Sequence, residues 1–510
     1  MQARLAAGGL TGAGIHFMAD KLDILLVNIG GTKKKVYQDL SKDFSAVEPP
    51  FWAALMAGFV RKNGFRVDLL DAGVRNLSIE ETAAEIRARN AEMTAIVVYG
   101  QQANTCAPIM GAVGELCRQL KGLDPHIKII LTGWHPSALP ERTLREEACD
   151  LVIQGEGFYP LLGILKKQSY DKIPGLWWKE NGGIRHNERA ANIENLTNEL
   201  SEVAWDLLPL GSGNYRAFNW MTLQSLETRN HYASIFTSLG CPYKCTFCAI
   251  HATFGEHRIR YWSPEWALKQ FDLLAREYGV KHINLIDELY VFDARHYVPI
   301  AEGLLEREYK LNFCAFARVD RVDAMDIKEL KLLKKAGFNW FKLGIESGSM
   351  DILSKAHKGK YDKACIRRVV GKIHKAGIDL CANFIFGLPG DTWESMQETL
   401  NLAFELNCAF PSFFCAMAPP GSELYNEALK KGTPLPDKWV GYAQQGYEFL
   451  PLPTDALSAA DVLRFRDYAF DAYFRNPRYL ASIERKFGRT ARDHVEAMTK
   501  IRLKRKLLGD

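Results

Sequence analysis

The sequence predicts two α/β domains in tandem: a doubly wound, Rossmann-like parallel sheet, then a partial (β/α)6 barrel, closed by a helical C-terminal region. Two observations predict the sheets. Short apolar runs alternate with amphipathic stretches over residues 22–167 and again over 231–418, the pattern of parallel α/β units. The junctions Tyr278-Gly279-Val280, Ala336-Gly337-Phe338 and Ala376-Gly377-Ile378 repeat one device, a helix stopped at Gly with a strand close behind. A third observation sets the end of the barrel: after Pro419-Pro420-Gly421 the pattern turns mostly helical.

Each segment has its own reason. Residues 1–20 are Gly/Ala-rich, with an apolar stretch broken by Gly and His16; they are expected to be a disordered extension, with Met18-Ala19-Asp20-Lys21 as the natural start. Residues 21–167 form the first domain, with strands expected at 22–28, 66–70, 95–99, 128–132 and 151–153. Residues 168–230 read as a connector, its Pro174–Trp178 and Asn181-Gly182-Gly183 pieces forming a hairpin. Residues 231–420 form the barrel, with strands at 232–238, 282–287, 311–318, 340–345, 379–386 and 412–418. An eight-unit barrel would need more chain. Residues 421–510 are the helical region. Its Phe465, Tyr468, Ala469, Ala472 and Tyr473 stripe reads as core packing, and its basic tail as a solvated helix.

Composition narrows the function classes. The chain has 510 residues, 47% hydrophobic and 25% charged, which fits a folded globular protein and excludes a disordered one. No run approaches the roughly 18 apolar residues of a membrane span. Net charge is +5, but residues 485–510 carry nine Lys/Arg against three acids. The body is therefore near neutral and not built to bind nucleic acid. Eleven cysteines, only three of them clustered, suit a reducing cytoplasm with one special cysteine site.

That site is Cys241-Pro-Tyr-Lys-Cys245-Thr-Phe-Cys248, after a strand and the Gly240 turn. Two metal readings follow. Zinc takes four ligands, which His251 and His257 could complete. An iron–sulfur cluster is normally held by four thiolates; three leave one iron open to a substrate.

The CxxxCxxC spacing, with Phe247 before the third cysteine, resembles the radical S-adenosylmethionine (SAM) superfamily. The resemblance implies a 4Fe–4S cluster on Cys241, Cys245 and Cys248, whose open iron binds SAM for reductive cleavage to a 5′-deoxyadenosyl radical. It extends along the barrel, and every matching piece ends an expected strand, where a barrel builds its site. These pieces are Asp287-Glu288, Arg318 within Phe316–Asp320, Gly344-Ile345-Glu346-Ser347-Gly348, Phe386-Gly387-Leu388-Pro389-Gly390 and Pro419–Tyr425. SAM contacts are accordingly expected from Phe247, Asp287, Glu288, Arg318, Glu346, Ser347, Gly387 and Pro389. Glu346 and Ser347 would bond the ribose or methionine part, Arg318 the carboxylate or a neighbouring acid. Gly387 and Gly390 would let backbone approach adenine. The residues alone also allow a Glu346–Arg318 pair and a plain Gly-Leu-Pro-Gly turn.

A doubly wound module before such a barrel resembles the cobalamin-dependent radical SAM enzymes. The matching pieces are Glu48-Pro49-Pro50, Gly133-Trp134-His135-Pro136-Ser137-Ala138-Leu139-Pro140 and Gly155-Glu156-Gly157. Cobalamin contacts are therefore expected from Gly133, His135, Ser137, Gly155, Glu156 and Gly157, and from Gly100, Gln101 and Thr105 in the loop beside the corrin. The Asp-x-His-x-x-Gly loop of other cobalamin proteins is missing, so cobalamin is expected without a protein histidine on cobalt. Cys106, Cys117 and Cys149 allow a second cluster of the methylthiotransferase kind, or buried structural thiols.

The resemblance spans roughly residues 22–475. It implies a C-methyltransferase acting on an unactivated carbon, with non-methylating oxidoreductase or cyclase chemistry as the alternative and a tRNA methylthiotransferase-like enzyme behind it. The layout is also similar to that of the anaerobic Mg-protoporphyrin monomethyl ester cyclases. Implied partners are a small-molecule, lipid, sugar-conjugate or peptide substrate and an external reductant such as flavodoxin or ferredoxin. Trp439, Tyr442 and Tyr447 are set between a substrate pocket and core packing.

Overall fold

The computed structural model describes residues 21–30, 32–99 and 105–510. The extension expected at 1–20 and the expected contacts Gly100 and Gln101 lie outside them.

The first sheet contains β1 (Ile24–Asn28), β2 (Val67–Asp71), β3 (Met93–Val98), β4 (Lys128–Gly133), β5 (Leu151–Ile153), β6 (Leu176–Glu180) and β7 (Gly183–His186). Its order is β2-β1-β3-β4-β5-β6-β7. β1 to β5 run parallel, as apolar runs buried on both faces require. β3 is buried at every position. The chain order reverses between β1 and β3, and such a switch point opens a crevice at the strands' carboxyl ends.

The hairpin does not stand apart as a connector. β6 pairs antiparallel to β5, Leu151 opposite Trp178, and β7 pairs with β6. Leu176 and Trp178 are buried while Lys179 and Glu180 are exposed. This alternation lets the hairpin cover an otherwise bare β5 edge.

The second half begins with β8 (Tyr232–Ile235), then β9 (Ser238–Leu239), β10 (Arg260–Tyr261), β11 (His282–Leu285), β12 (Asn312–Arg318), β13 (Phe338–Glu346), β14 (Asp379–Phe386) and β15 (Phe410–Cys415). Six of these form one parallel sheet in simple sequential order, β15-β14-β13-β12-β11-β8, with β9 and β10 pairing separately. Sequential parallel neighbours joined by helices are the wall of an open (β/α)6 barrel.

The two halves are welded together. Arg260 and Glu156 form an ion pair in which both side chains are almost fully buried, and Glu156 also accepts from Ile193 N at 2.8 Å. Trp52 stacks on Tyr99 and Tyr99 on Trp134, with ring centroids 4.1 and 3.9 Å apart. Phe236 and Phe254 of the barrel half pack against Trp52. From the connector, Trp205 Nε1 donates to Gln270 Oε1 at 2.9 Å and Tyr215 OH to Asp71 Oδ2 at 2.7 Å.

The C-terminal region is helical over Ala459–Phe474, Pro477–Phe487 and Arg489–Thr499. Phe465, Ala469 and Tyr473 are core, whereas Tyr468 faces solvent. The basic tail is not a solvated helix throughout. After Thr499 the chain runs back across the fold, and Arg505 is buried, bonded to Asp467 at 3.0 Å and to the Gln444 carbonyl at 2.8 Å. Among the described residues no helix is long and apolar enough to cross a membrane.

Removing one partner of a buried ion pair strands the other charge. Arg260→Ala is expected to cost about 3–5 kcal/mol, whereas Arg367→Ala, which breaks the half-exposed Arg367–Glu405 pair, should cost no more than about 1 kcal/mol. Denaturant unfolding of both variants checks the contrast.

Candidate functional site: the cysteine loop and the domain junction

The cysteine loop leaves the carboxyl end of β9. Gly240 turns it with a φ of +95°, and a side chain there would strike the Arg258 carbonyl. Cys248 N bonds the Cys245 carbonyl at 3.0 Å, Thr246 N the Ala356 carbonyl at 3.2 Å, and Leu424 N the Thr246 carbonyl at 3.1 Å. The loop is thus tied to the end of the helix after β13 and to the start of the helix after β15. Burial pushes the Cys241 thiol up to about 11 and the Cys248 thiol to about 12, so a metal must displace their protons on binding.

His251 is committed elsewhere. Its Nε2 lies 2.7 Å from the Tyr243 carbonyl and its Nδ1 3.1 Å from that of Glu256. His257 lies against it at 3.0 Å. Among the described residues no three His, Cys, Asp or Glu side chains converge on a single-ion site.

The strand-end residues divide into two groups. Asp287 is fully buried and accepts from Thr237 N, Thr237 Oγ1 and Ser238 Oγ at 2.6–3.2 Å. Burial pushes it up to about 6. It buckles β8 to β9 rather than facing a ligand. Ser347 is likewise spent, its hydroxyl between Thr399 Oγ1 and Ser349 N at 3.1 Å. Gly387 N and Leu388 N both donate to Asp391 Oδ2, at 2.9 and 3.0 Å. A side chain at Gly387 would meet Val462, so this segment is a turn closed by the C-terminal helix. Pro389 is partly exposed beside it.

Glu288 and Glu346 behave differently. Glu288 Oε2 accepts from Gly240 N at 3.0 Å, while its buried Oε1 has no protein hydrogen-bond partner. Burial holds this carboxyl well above its usual range. Glu346 sits at a bulge in β13 with a φ of +65°, a strained setting for a non-glycine residue. It pairs with Lys358 Nζ at 2.7 Å, both side chains buried. A side chain at Gly344 would collide with both. Glu346 therefore does not pair with Arg318, whose partner is Asp320 at 3.0 Å. Sequence reasoning missed Lys358; the signal was its place after the helix that follows Glu346. Tyr361, whose buried hydroxyl has no partner, was missed as well. Phe247 packs in the apolar clusters formed by Leu424, Tyr425, Ile352 and Leu388.

Across the junction lies the carboxyl edge of the first sheet. Trp52 Nε1, Tyr99 OH, Thr132 Oγ1, Trp134 Nε1 and His135 Nδ1 are all buried without a hydrogen-bond partner among the described residues. Buried polar atoms are rarely left so, and five of them lie together at this edge. Gly133, at a φ of +115°, packs against the Val98 carbonyl. Ser137 is turned inward, accepting from Gly155 N at 3.0 Å and donating to the Gly155 carbonyl at 3.2 Å. It shapes the Gly155–Gly157 turn rather than presenting a free hydroxyl. Glu156 belongs to the weld with Arg260. Thr105 is exposed at the start of the helical segment after β3. Glu48 lies in the barrel, accepting from Tyr232 OH and from Asn284 Nδ2. Cys106, Cys117 and Cys149 are buried.

The two domains that carry these faces both match known families. Residues 40–165 match the B12 binding domain, and residues 235–403 match the Radical SAM superfamily. The chain joins a B12-binding domain to a radical SAM domain. An uncharacterized methyltransferase of Pyrococcus horikoshii is 28% identical over 77% of this chain and 81% of its own. The anaerobic magnesium-protoporphyrin IX monomethyl ester cyclase of Rubrivivax gelatinosus is 23% identical over 85% and 75%. Among solved structures, the cobalamin-dependent S-adenosylmethionine radical enzyme OxsB, with aqua-cobalamin and S-adenosylmethionine bound, matches at a TM-score of 0.68. It is 18% identical, over 94% of this chain and 72% of its own. The radical S-adenosylmethionine methyltransferase TsrM of Kitasatospora setae, with tryptophan substrate and a SAM analog bound, matches at 0.66, with 16% identity over 94% and 99%. Both share the fold. A radical SAM domain with a B12-binding domain implies an enzyme using a 4Fe–4S cluster, SAM and cobalamin. The unpartnered Glu288 oxygen beside the cysteine loop and the five unpartnered atoms of the opposite edge fit such groups.

His135 gives a test of this edge in the protein alone. Burial, with Arg142 nearby, drops its imidazole from 6.5 to about 3. Between those values the unfolded chain binds a proton that the folded chain refuses. Its contribution to stability is therefore complete above about pH 6.5 and is lost as pH falls towards 3. The stability difference between wild type and His135→Gln is expected to be constant above pH 6.5 and to move in the variant's favour below it. Denaturant unfolding across pH measures this; parallel profiles would contradict it.

Proposed function

We propose that this enzyme is a C-methyltransferase that installs a methyl group on an unactivated carbon of a small molecule. The observation that carries the reading is the buried junction, which sets the three-cysteine loop against the carboxyl edge of the B12-binding sheet. When bound, the cluster and SAM supply a carbon-centred radical oxidant, and cobalamin supplies a transferable methyl group.

The chain's own residues hold, orient and exclude. Cys241, Cys245 and Cys248 are the cluster ligands on this reading, with the fourth iron left for SAM. Glu288 Oε1 and the Glu346–Lys358 pair offer an acceptor and a balanced charged pair on the rim of that site. A cationic ligand with amine and hydroxyl groups needs such acceptors. The unpartnered edge of the first sheet takes cobalamin. Trp52, Tyr99, Trp134, Phe236 and Phe254 keep water from the space between, which protects a radical from side reactions. The helical region completes the enclosure: Trp439 packs edge-on to His135 at 4.4 Å and Arg142 lies 4.4 Å over the Trp439 ring. Trp439 and the buried Tyr442 thus act as cover over the B12-binding domain. An external electron donor and a cytoplasmic setting accompany this chemistry.

Methyl transfer and cyclase-type oxidation differ in their products from SAM. Under anaerobic reduction the reconstituted enzyme is expected to cleave SAM to 5′-deoxyadenosine. With substrate present, methyl transfer releases S-adenosylhomocysteine as well, and 5′-deoxyadenosine alone would favour the oxidative reading. Cys241→Ala, Cys245→Ala and Cys248→Ala are each expected to abolish cleavage and cluster retention; cleavage surviving any one of them would contradict the ligand assignment.

A further inference from the structure

Arg318 ends β12, yet it is only 6% exposed and each end of its guanidinium is engaged. Nε donates to Asp320 Oδ1 at 3.0 Å. Nη2 donates to the Lys358 carbonyl. The guanidinium lies 3.5 Å from the centroid of the Tyr243 ring, within the cysteine loop itself. Tyr243 is pinned in turn, its hydroxyl donating to Asp320 Oδ2 and accepting from Arg321 Nε, both at 2.7 Å. Nη1 then lies 3.5 Å from Cys245 Sγ, a distance for an N–H···S hydrogen bond.

This geometry is more than a brace. Guanidinium stays charged in proteins. Hydrogen bonds to the sulfurs are among the levers that set an iron–sulfur potential. An added electron spreads negative charge onto those sulfurs, and a fixed cation in a low-dielectric setting stabilises that state more than the oxidised one. The ring of Tyr243 and the Lys358 carbonyl prevent Arg318 from swinging away as the charge changes.

We infer that Arg318 is a positioning residue for the cluster, whose bond to the Cys245 sulfur raises the one-electron reduction potential of the centre. The inference rests on the reading that Cys241, Cys245 and Cys248 hold a 4Fe–4S cluster. It moves Arg318 from the SAM contact suggested by its motif to the electronics of the cluster.

The test compares wild type, Arg318→Gln and Arg318→Lys as full chains reconstituted anaerobically. Iron and sulfide content reports loading, a dithionite titration followed by electron paramagnetic resonance reports the midpoint, and equilibrium binding reports SAM affinity. Arg318→Gln is expected to load normally and to shift the midpoint negative. At a fixed ambient potential the ratio of reduced to oxidised cluster should fall about tenfold, which is about 59 mV for one electron. Arg318→Lys keeps the charge and should shift less. An unchanged midpoint in a fully loaded Arg318→Gln overturns the inference, as does lost SAM affinity with no shift. If Arg318→Gln does not load, Arg318→Lys decides: loading with a negative shift supports the inference, and loading without one overturns it. If neither loads, Arg318 is a loop brace only and the inference fails. A wild-type chain that takes up no iron overturns the cluster reading and this inference with it.

Discussion

The structure depends on the weld between its two sheets. Glu156, at the β5 turn of one domain, and Arg260, on the short β9–β10 ribbon of the other, form one buried ion pair. A buried pair gains little net stability, because desolvation offsets most of its attraction. What it fixes is geometry: any sliding of one domain over the other would leave two charges unpaired in an apolar setting. The Trp52–Tyr99–Trp134 stack fills the adjoining volume with rigid rings. Weld and stack together hold two carboxyl edges face to face, and a site divided between two domains requires that placement.

Around this junction the polar groups separate by role. Asp287, Ser347, Asp391 and Ser137 are saturated with internal hydrogen bonds and shape turns. Glu288, Tyr99, Tyr361 and His135 keep buried atoms unpartnered. Leaving a buried polar atom without a bond costs about 1–3 kcal/mol, a cost that a ligand can remove. Saturated groups build the frame, and the unsaturated ones at the junction are free to bond a ligand. Arg318 stands between the two sets, since it is saturated but has the Cys245 sulfur among its partners.

Much of this was legible in the sequence. The strands of both sheets fall close to the apolar runs that predict them, because parallel strands buried on two faces carry an unmistakable pattern. The cysteine loop was legible because its spacing is rare. The hairpin was seen but misplaced, since nothing local says that β6 will cover the edge of β5. The tail was misread because its run of Lys and Arg hides Arg505, whose partner Asp467 lies far back along the chain. Motif position singled out Glu288 and Glu346 together with Asp287 and Ser347, which sit beside them, and could not tell a residue with an unpartnered oxygen from one closed by internal hydrogen bonds. Which side chain faces the site and which turns inward is decided by tertiary partners such as Thr237 and Thr399. Lys358 and Tyr361 belong to no strand end; only the folded chain pairs Lys358 with Glu346 and buries the Tyr361 hydroxyl.

On the proposed reading the first sheet presents a cobalamin face to a cluster across the junction. Cobalamin stoichiometry tests it most directly. The protein is reconstituted anaerobically with iron, sulfide and hydroxocobalamin, desalted, and the retained corrin is read from its absorption spectrum. Close to one cobalamin per chain is expected alongside an intact cluster. A chain that keeps its cluster and retains no cobalamin would contradict it.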